Sequence, residues 1–137
     1  MTTTTADTAA DEAAVRTLLA EETEAMRTRD AERAVARYAP DAVIFDLAPP
    51  LGRRGRTAEG VQAWLGGFDG PIGVEITELE VAVDGDLAFA HSLRQLSAVP
   101  AGAPEGFAFW YRATTCLRRV DGHWLVVHEH TSTPFHM

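Results

Sequence analysis

The sequence predicts an α+β domain in which short N-terminal helices lie over one face of a single curved antiparallel β-sheet and enclose a cone. Three observations predict it. The first third of the chain carries apolar residues at helical spacing, and the second half alternates apolar and polar residues over long runs. Those runs are joined at Asp84-Gly85 and Asp121-Gly122, a dipeptide that closes tight hairpins. Helices first and a meander of strands after them give α+β layering, not the alternation of a parallel fold.

Residues 1–10 are small and polar without a period and read as a disordered tail, leaving 11–137 as the domain. From Asp11, Val15, Leu18, Leu19, Ala25 and Met26 recur at helical spacing, with Glu21, Glu24 and Arg27 around the other side. Asp30 caps a second helix, Ala31 to Tyr38, closed by Pro40. Ala42 to Leu47 reads as a strand, which Pro49-Pro50-Leu51-Gly52 breaks. Thr57 starts a third helix that carries Val61, Trp64 and Leu65 and ends at Gly66-Gly67. Strands then follow at Gly73 to Val83, Leu87 to Ala98, Phe107 to Val120 and from Trp124 onward, with a Pro/Gly-rich tip at 99–106.

The 137 residues make one ordinary domain, long enough to bury about two-thirds of its unfolded surface. A hydrophobic fraction of 46% and a charged fraction of 23% are those of a globular protein. No apolar run approaches the ~20 residues that span a bilayer, and the N-terminus lacks a basic segment followed by an apolar one. A net charge of −8 argues against a nucleic-acid surface. The lone Cys116 can form no internal disulfide and sits in a strand pattern, so a buried inert thiol in a reducing cytoplasm is expected. All 12 basic residues are Arg, and Lys and Asn are both absent. Both missing residues have A-rich codons, which points to a GC-rich bacterial genome.

The segment Trp124 to Phe135 holds the densest chemistry. His128, Glu129 and His130 stand side by side in a stretch otherwise built of Val, Trp and Thr. Titrating groups on a half-buried strand cost several kcal/mol unless paired, so they mark a polar cavity or an interface. Strand alternation puts His128 and His130 on one face and Glu129 on the other. His-x-His can seed a zinc site completed by His91 or Asp46, but no third ligand lies at a diagnostic spacing, so neither metal nor cofactor is expected. Glu22 falls in the apolar stripe of the first helix, where a carboxylate must be paired, protonated or facing a cavity, unless it reaches water from the stripe's edge. Tyr111 and Thr115 share with Phe107, Phe109 and Ala113 the greasier strand face, which should meet the helices. Arg112 lies with Trp110, Thr114 and Cys116 on the other. There it either makes an interface ion pair, with Glu129 or a partner's acidic residue, or holds an acidic or enolic ligand through its planar fork. Asp46 ends an apolar strand and either braces the Pro-Pro loop or stands at the mouth of the cone. If the register turns Glu129 inward, it and Asp46 form a carboxylate pair, one member of which could act as acid or base. His123 and His136 read as solvated.

The element order, with Tyr38-Ala39-Pro40-Asp41-Ala42-Val43, Phe45-Asp46-Leu47-Ala48-Pro49-Pro50-Leu51, Gly70-Pro71-Ile72-Gly73, Ala90-His91-Ser92-Leu93, Trp110-Tyr111-Arg112-Ala113-Thr114 and the terminal Val127 to Phe135, resembles the nuclear transport factor 2-like superfamily. The nearest branch is the bacterial ketosteroid-isomerase-like and SnoaL-like proteins, over the chain from about residue 11 to its end. The resemblance implies a cystatin-like roll, an apolar pocket, and a homodimer formed through the sheet face that the helices leave open. It places Asp46 where ketosteroid isomerase carries its catalytic base. That enzyme's helix tyrosine falls at about Glu22, and its protonated aspartate at Thr114 or Thr115. Neither donor is reproduced, and losing one costs about 10²–10³ in rate, so steroid isomerisation is not expected.

Fold does not fix function. The expectation is a bacterial, cytoplasmic protein that binds a small, mostly hydrophobic molecule. It would carry out cofactor-independent acid–base chemistry of isomerase, cyclase or dehydratase type, in secondary metabolism. Asp46, Glu129 and His91 are the catalytic candidates, with Glu22, Tyr111, Arg112, Thr115, His128 and His130 binding the ligand. The alternatives are a non-catalytic binding or accessory protein and a dimerisation module. Neither nucleic acid nor membrane is an expected partner.

Overall fold

A computed structural model describes residues 5–135. Three helices, α1 (Thr5–Arg27), α2 (Ala31–Val35) and α3 (Ala58–Leu65), lie against a six-stranded sheet. Its strands are β1 (Tyr38–Phe45), β2 (Arg53–Arg54), β3 (Phe68–Asp84), β4 (Leu87–Pro100), β5 (Phe107–Val120) and β6 (His123–Ser132), in the order β2-β1-β6-β5-β4-β3. The sheet is open and curved, as the sequence predicts.

The first helix begins six residues before the expected start, so 5–10 belong to α1 and not to a tail; residues 1–4 and His136 lie outside the described residues. Its Val15, Leu18 and Leu19 bury against Ala88 and Ala90 of β4, Leu117 of β5 and Trp124 and Val126 of β6. Each large aliphatic side chain removed from water there contributes about 1.5–3 kcal/mol. Small alanines on the sheet let the helix approach closely. A second cluster, Ala25, Ala31, Ala34, Val61, Leu65, Ile72 and Ala98, closes the far end of the cone with α2 and α3. Asp30 and Thr57 cap those two helices as expected, accepting from the N–H of Arg33 and Gly60.

Two boundaries differ from the expected ones. The second helix ends at Val35, and Tyr38 already belongs to β1, which pairs in parallel with β6. The two-residue β2 pairs with β1 through Val43–Arg54 and Ile44–Arg53, inside what reads as loop. Both Asp-Gly hairpins form, and Asp121 and Gly122 take φ of 51° and 81°, the double left-handed conformation that matches strand twist.

One irregularity decides which side chains enter the cone. Leu117 of β5 faces Val126, yet Cys116 faces His128, so Val127 is an extra residue in β6. Trp124 and Val126 point inward, and strict alternation would send His128 and His130 after them. The bulge reverses the parity, and Glu129 enters the cone opposite Thr115.

Candidate functional site

The inward positions of β4 run Ala88, Ala90, Ser92, Arg94, all buried. The alanines pack under α1, and the polar pair that follows continues the same face beyond the apolar core. Beside them on β5 lie Tyr111, Ala113 and Thr115, opposite Arg94, Ser92 and Ala90. Glu129 of β6 and Tyr38 of β1 extend the row, and Glu22 of α1 faces it from above.

A short turn delivers the last member. Gly55 adopts φ 78° and donates its N–H to the Ala42 carbonyl at 2.7 Å. A β-carbon there would stand 2.7 Å from the Pro40 carbonyl oxygen, so only glycine fits. The next residue, Arg56, reaches into the cone. Its Nη2 lies 2.9 Å from Asp46 Oδ1 and 3.6 Å from Glu129 Oε1, and its guanidinium stands 5.2 Å from the centre of the Tyr38 ring. Arg53 pairs with the other oxygen of Asp46. Tyr38 donates its hydroxyl to Glu129 Oε2 at 2.9 Å. Arg94 donates Nε–H to Ser92 Oγ at 3.1 Å and hydrogen-bonds the Tyr111 hydroxyl.

These neighbours set the protonation states. Burial, followed by the charge of Glu129, pushes the Glu22 carboxyl well above its usual range, against the opposing pull of Arg94 and Arg56. The Tyr38 hydroxyl is pushed up by burial and by the charges of Glu129 and Glu22. Burial would lower Arg56, but Tyr38, Glu129 and Asp46 outweigh it and fix the guanidinium as a cation. Glu22 keeps an exposed flank, yet its Oε1 is sealed from water and has no hydrogen-bond partner. The same holds for Thr115 Oγ1 and Arg56 Nε. Two surface hollows, of about 280 Å³ beside Glu24, Arg27 and Gln95 and about 630 Å³ beside Asp30, Glu32 and Gln62, lie apart from this cluster.

Of the residues read from sequence, the structure brings Asp46, Glu129, Glu22, Tyr111 and Thr115 together. It puts four others on the outer face, because β-strand parity carries them there. His91 lies mostly exposed, 3.3 Å from Glu80 on β3, and does not join Asp46 and Glu129. Arg112 donates to Ser132 Oγ at 3.1 Å, so its pairing with Glu129 is excluded by the bulge that turns Glu129 inward. His128 Nδ1 lies 2.7 Å from the Val43 carbonyl oxygen, and the rings of His128 and His130 stand edge-on to Phe45, with centroids 5.1 and 5.4 Å away. Asp46 is on the other side of the sheet from both histidines. Among the described residues no three His, Cys, Asp or Glu side chains are placed to hold a metal.

Tyr38, Arg56 and Arg94 were not legible as site residues. Arg94 alone carried a signal, a charge at the same parity as Ala88, Ala90 and Ser92. Around His91 and Arg112 the outer face exposes Phe45, Phe89, Leu93 and Trp110. Cys116 lies on it too, half-buried, with its thiol pushed up by burial, as befits an inert side chain.

The sequence profile of the SnoaL-like domain family matches residues 15–136. An NTF2-like protein of unknown function from Pseudomonas putida is 36% identical and superposes with a TM-score of 0.82 over 94% of this chain and 90% of that one. A protein provisionally named a dehydratase of the NTF2-like family, from Streptomyces avermitilis, shares 18% identity with a TM-score of 0.80, covering 93% and 99%. A domain from Xanthomonas campestris, provisionally named a calcium/calmodulin-dependent kinase II association domain, shares 20% with a TM-score of 0.73, covering 88% and 85%. At such identities the last two speak to the fold alone. No curated protein matches the chain.

Proposed function

The chain belongs to the SnoaL-like domain family, and from that premise we propose that it binds a small, mostly hydrophobic molecule in the cone and performs cofactor-independent acid–base chemistry on it, of isomerase, cyclase or dehydratase type, as a cytoplasmic bacterial homodimer. The observation that carries this reading is the placing of three carboxyl groups around one guanidinium. Arg56 bridges Asp46 and Glu129, while Glu22, part-buried with one carboxyl oxygen sealed from water, is biased toward its protonated form. A carboxylic acid biased toward its neutral form beside carboxylates paired with a guanidinium separates a proton donor from a proton acceptor.

In this reading Asp46 is the base at the mouth and Glu22 the acid within. Both oxygens of Asp46 are occupied, one by Arg56 and one by Arg53. The Arg53 side chain is the more exposed of the two, so a ligand entering the mouth would displace it first and free that oxygen. Glu129, held by Tyr38 and Arg56, keeps Arg56 in place and repels a second negative charge from Glu22. The open outer face, with its exposed Phe89, Leu93 and Trp110, supports the dimer.

The second reading is non-catalytic binding, and the double engagement of Asp46 favours it, because a carboxylate clamped by two guanidiniums braces the loop at 46–56. Proton–deuterium exchange beside the carbonyl of a panel of small ketones, followed by NMR in heavy water, separates the two. Asp46→Asn is expected to abolish exchange while ligand affinity stays within about tenfold, ~1.4 kcal/mol. A variant that melts lower and binds weaker, from a wild type that never exchanges, would establish the bracing role and end the catalytic one.

A further inference from the structure

We propose that the ligand's polar head is a single carboxylate, received by Arg94, Arg56 and the Thr115 hydroxyl, so that the molecule bound in the cone is a small hydrophobic monocarboxylic acid. The proposal rests on the reading of the cone as a small-molecule site and names the chemistry of what enters it.

Arg94 is the first observation. Its residue is 7% exposed, its hydrogen-bond partners are the neutral hydroxyls of Ser92 and Tyr111, and among the described residues it forms no salt bridge. The carboxyl that acts on it is Glu22, itself pushed toward its neutral form, and a buried guanidinium whose acidic neighbour is uncharged is costly. Ser92, to which it donates, stands opposite Ala113, and the pair Ala90–Thr115 is the next on that face of the sheet. Two further donors await a partner in the same interior. Thr115 is fully buried with its Oγ1 unsatisfied, and Arg56, beside Glu129, has its Nε sealed and unsatisfied. Thr115 and Glu129 face each other across β5 and β6, so both donors belong to one neighbourhood. Every one of these groups can donate, and a carboxylate is an acceptor at both oxygens.

The charge balance points the same way. Arg53, Arg56 and Arg94 stand against Asp46, Glu129 and Glu22. Once Glu22 carries a proton, the cluster holds one positive charge in excess, within a chain of net charge −8. One bound carboxylate closes that balance; a neutral ligand leaves it open, and a dianion overshoots it. Glu22 also makes the binding pH-dependent. Its neighbours are Glu129 on β6, Arg94 on β4, Arg56 ahead of α3 and Tyr38 on β1. If Glu22 loses its proton, the excess positive charge vanishes and the bound anion meets a second carboxylate.

The experiment is titration calorimetry with trans-cinnamate and 2-naphthoate against their amides and alcohols, at about pH 6 and about pH 9. The acids are expected to bind at least tenfold more tightly than the uncharged analogues at the lower pH, and to weaken at the higher. Arg94→Met is expected to erase the preference for the acid. Glu22→Gln, which stays neutral, is expected to keep acid binding at pH 9 where the wild type loses it. Equal affinity for acid, amide and alcohol would overturn the carboxylate assignment while leaving the small-molecule site standing. So would acid binding that Arg94→Met leaves unchanged, since it would then lie elsewhere. If no acid, amide or alcohol binds, the small-molecule reading falls and takes this inference with it.

Discussion

Replacing Thr115 by Val should make this protein more stable, although the position is fully buried in the middle of the sheet. Thr115 is 0% exposed and its Oγ1 has no hydrogen-bond partner. A buried hydroxyl without a partner costs about 1–3 kcal/mol. Valine has the same branched shape and the same rotamer restriction, so the strand and its packing are kept. The hydroxyl becomes a methyl group, and the desolvation cost disappears. For a domain of 137 residues the unfolding entropy is roughly 0.3 kcal/mol per degree, so the gain corresponds to a rise in Tm of about 3–10 °C. Thermal unfolding followed by circular dichroism, with urea titration as a check on two-state behaviour, measures it. The same change should weaken binding of any anion seated on Arg94. A gain in stability coupled to a loss of binding is the signature of a group kept for its ligand. A fall in Tm of several degrees would mean that the hydroxyl is satisfied within the fold, and the argument from unpartnered atoms would collapse.

Three other outcomes follow from the same geometry. Because the folded state raises the pKa of Glu22, its stabilising contribution is full below the unfolded value and is lost as pH rises through the folded one. Glu22→Gln should therefore match wild type in acid and exceed it in urea midpoint at about pH 9; a less stable variant at pH 9 would contradict this. Arg56→Met leaves Asp46 and Glu129 facing each other without their bridge and should cost about 3 kcal/mol, part of it recovered when Glu129→Gln is added; additive losses in that double-mutant cycle would deny the coupling. Sedimentation at micromolar concentration should give a dimer that Trp110→Arg converts to monomer, since Trp110 is 49% exposed on the uncovered face; a monomeric wild type would remove the idea.

How much of this was legible in the sequence depends on which interactions are local. The apolar stripe of α1, the caps at Asp30 and Thr57 and the Asp-Gly turns are set by residues within a few positions of one another, and the structure has them. The oddity of Glu22 in that stripe was visible for the same reason. The inward aim of Glu129 was not, because strand alternation gives only relative parity, and one extra residue at Val127 reverses it. His128 and His130 looked equally eligible until that bulge is known. Arg56 was invisible because nothing periodic surrounds it; its place follows from the left-handed turn at Gly55 and the short pairing of β2 with β1. Tyr38 reads as the end of a helix in the sequence, since the contacts that place it in a strand, to Glu129 and the Val126 region of β6, come from the far end of the chain.

The claim on which everything else depends is that a small molecule enters the cone and not the outer face. Backbone and methyl NMR shifts on adding trans-cinnamate or its amide test it most directly, because the two faces of β4 and β5 alternate residue by residue. Perturbations at Ala90, Ser92, Ala113 and Thr115, with Phe89, Leu93 and Trp110 unmoved, are the predicted pattern. Shifts confined to Phe89, Leu93, Trp110 and Arg112 would place the ligand on the open face and contradict the account.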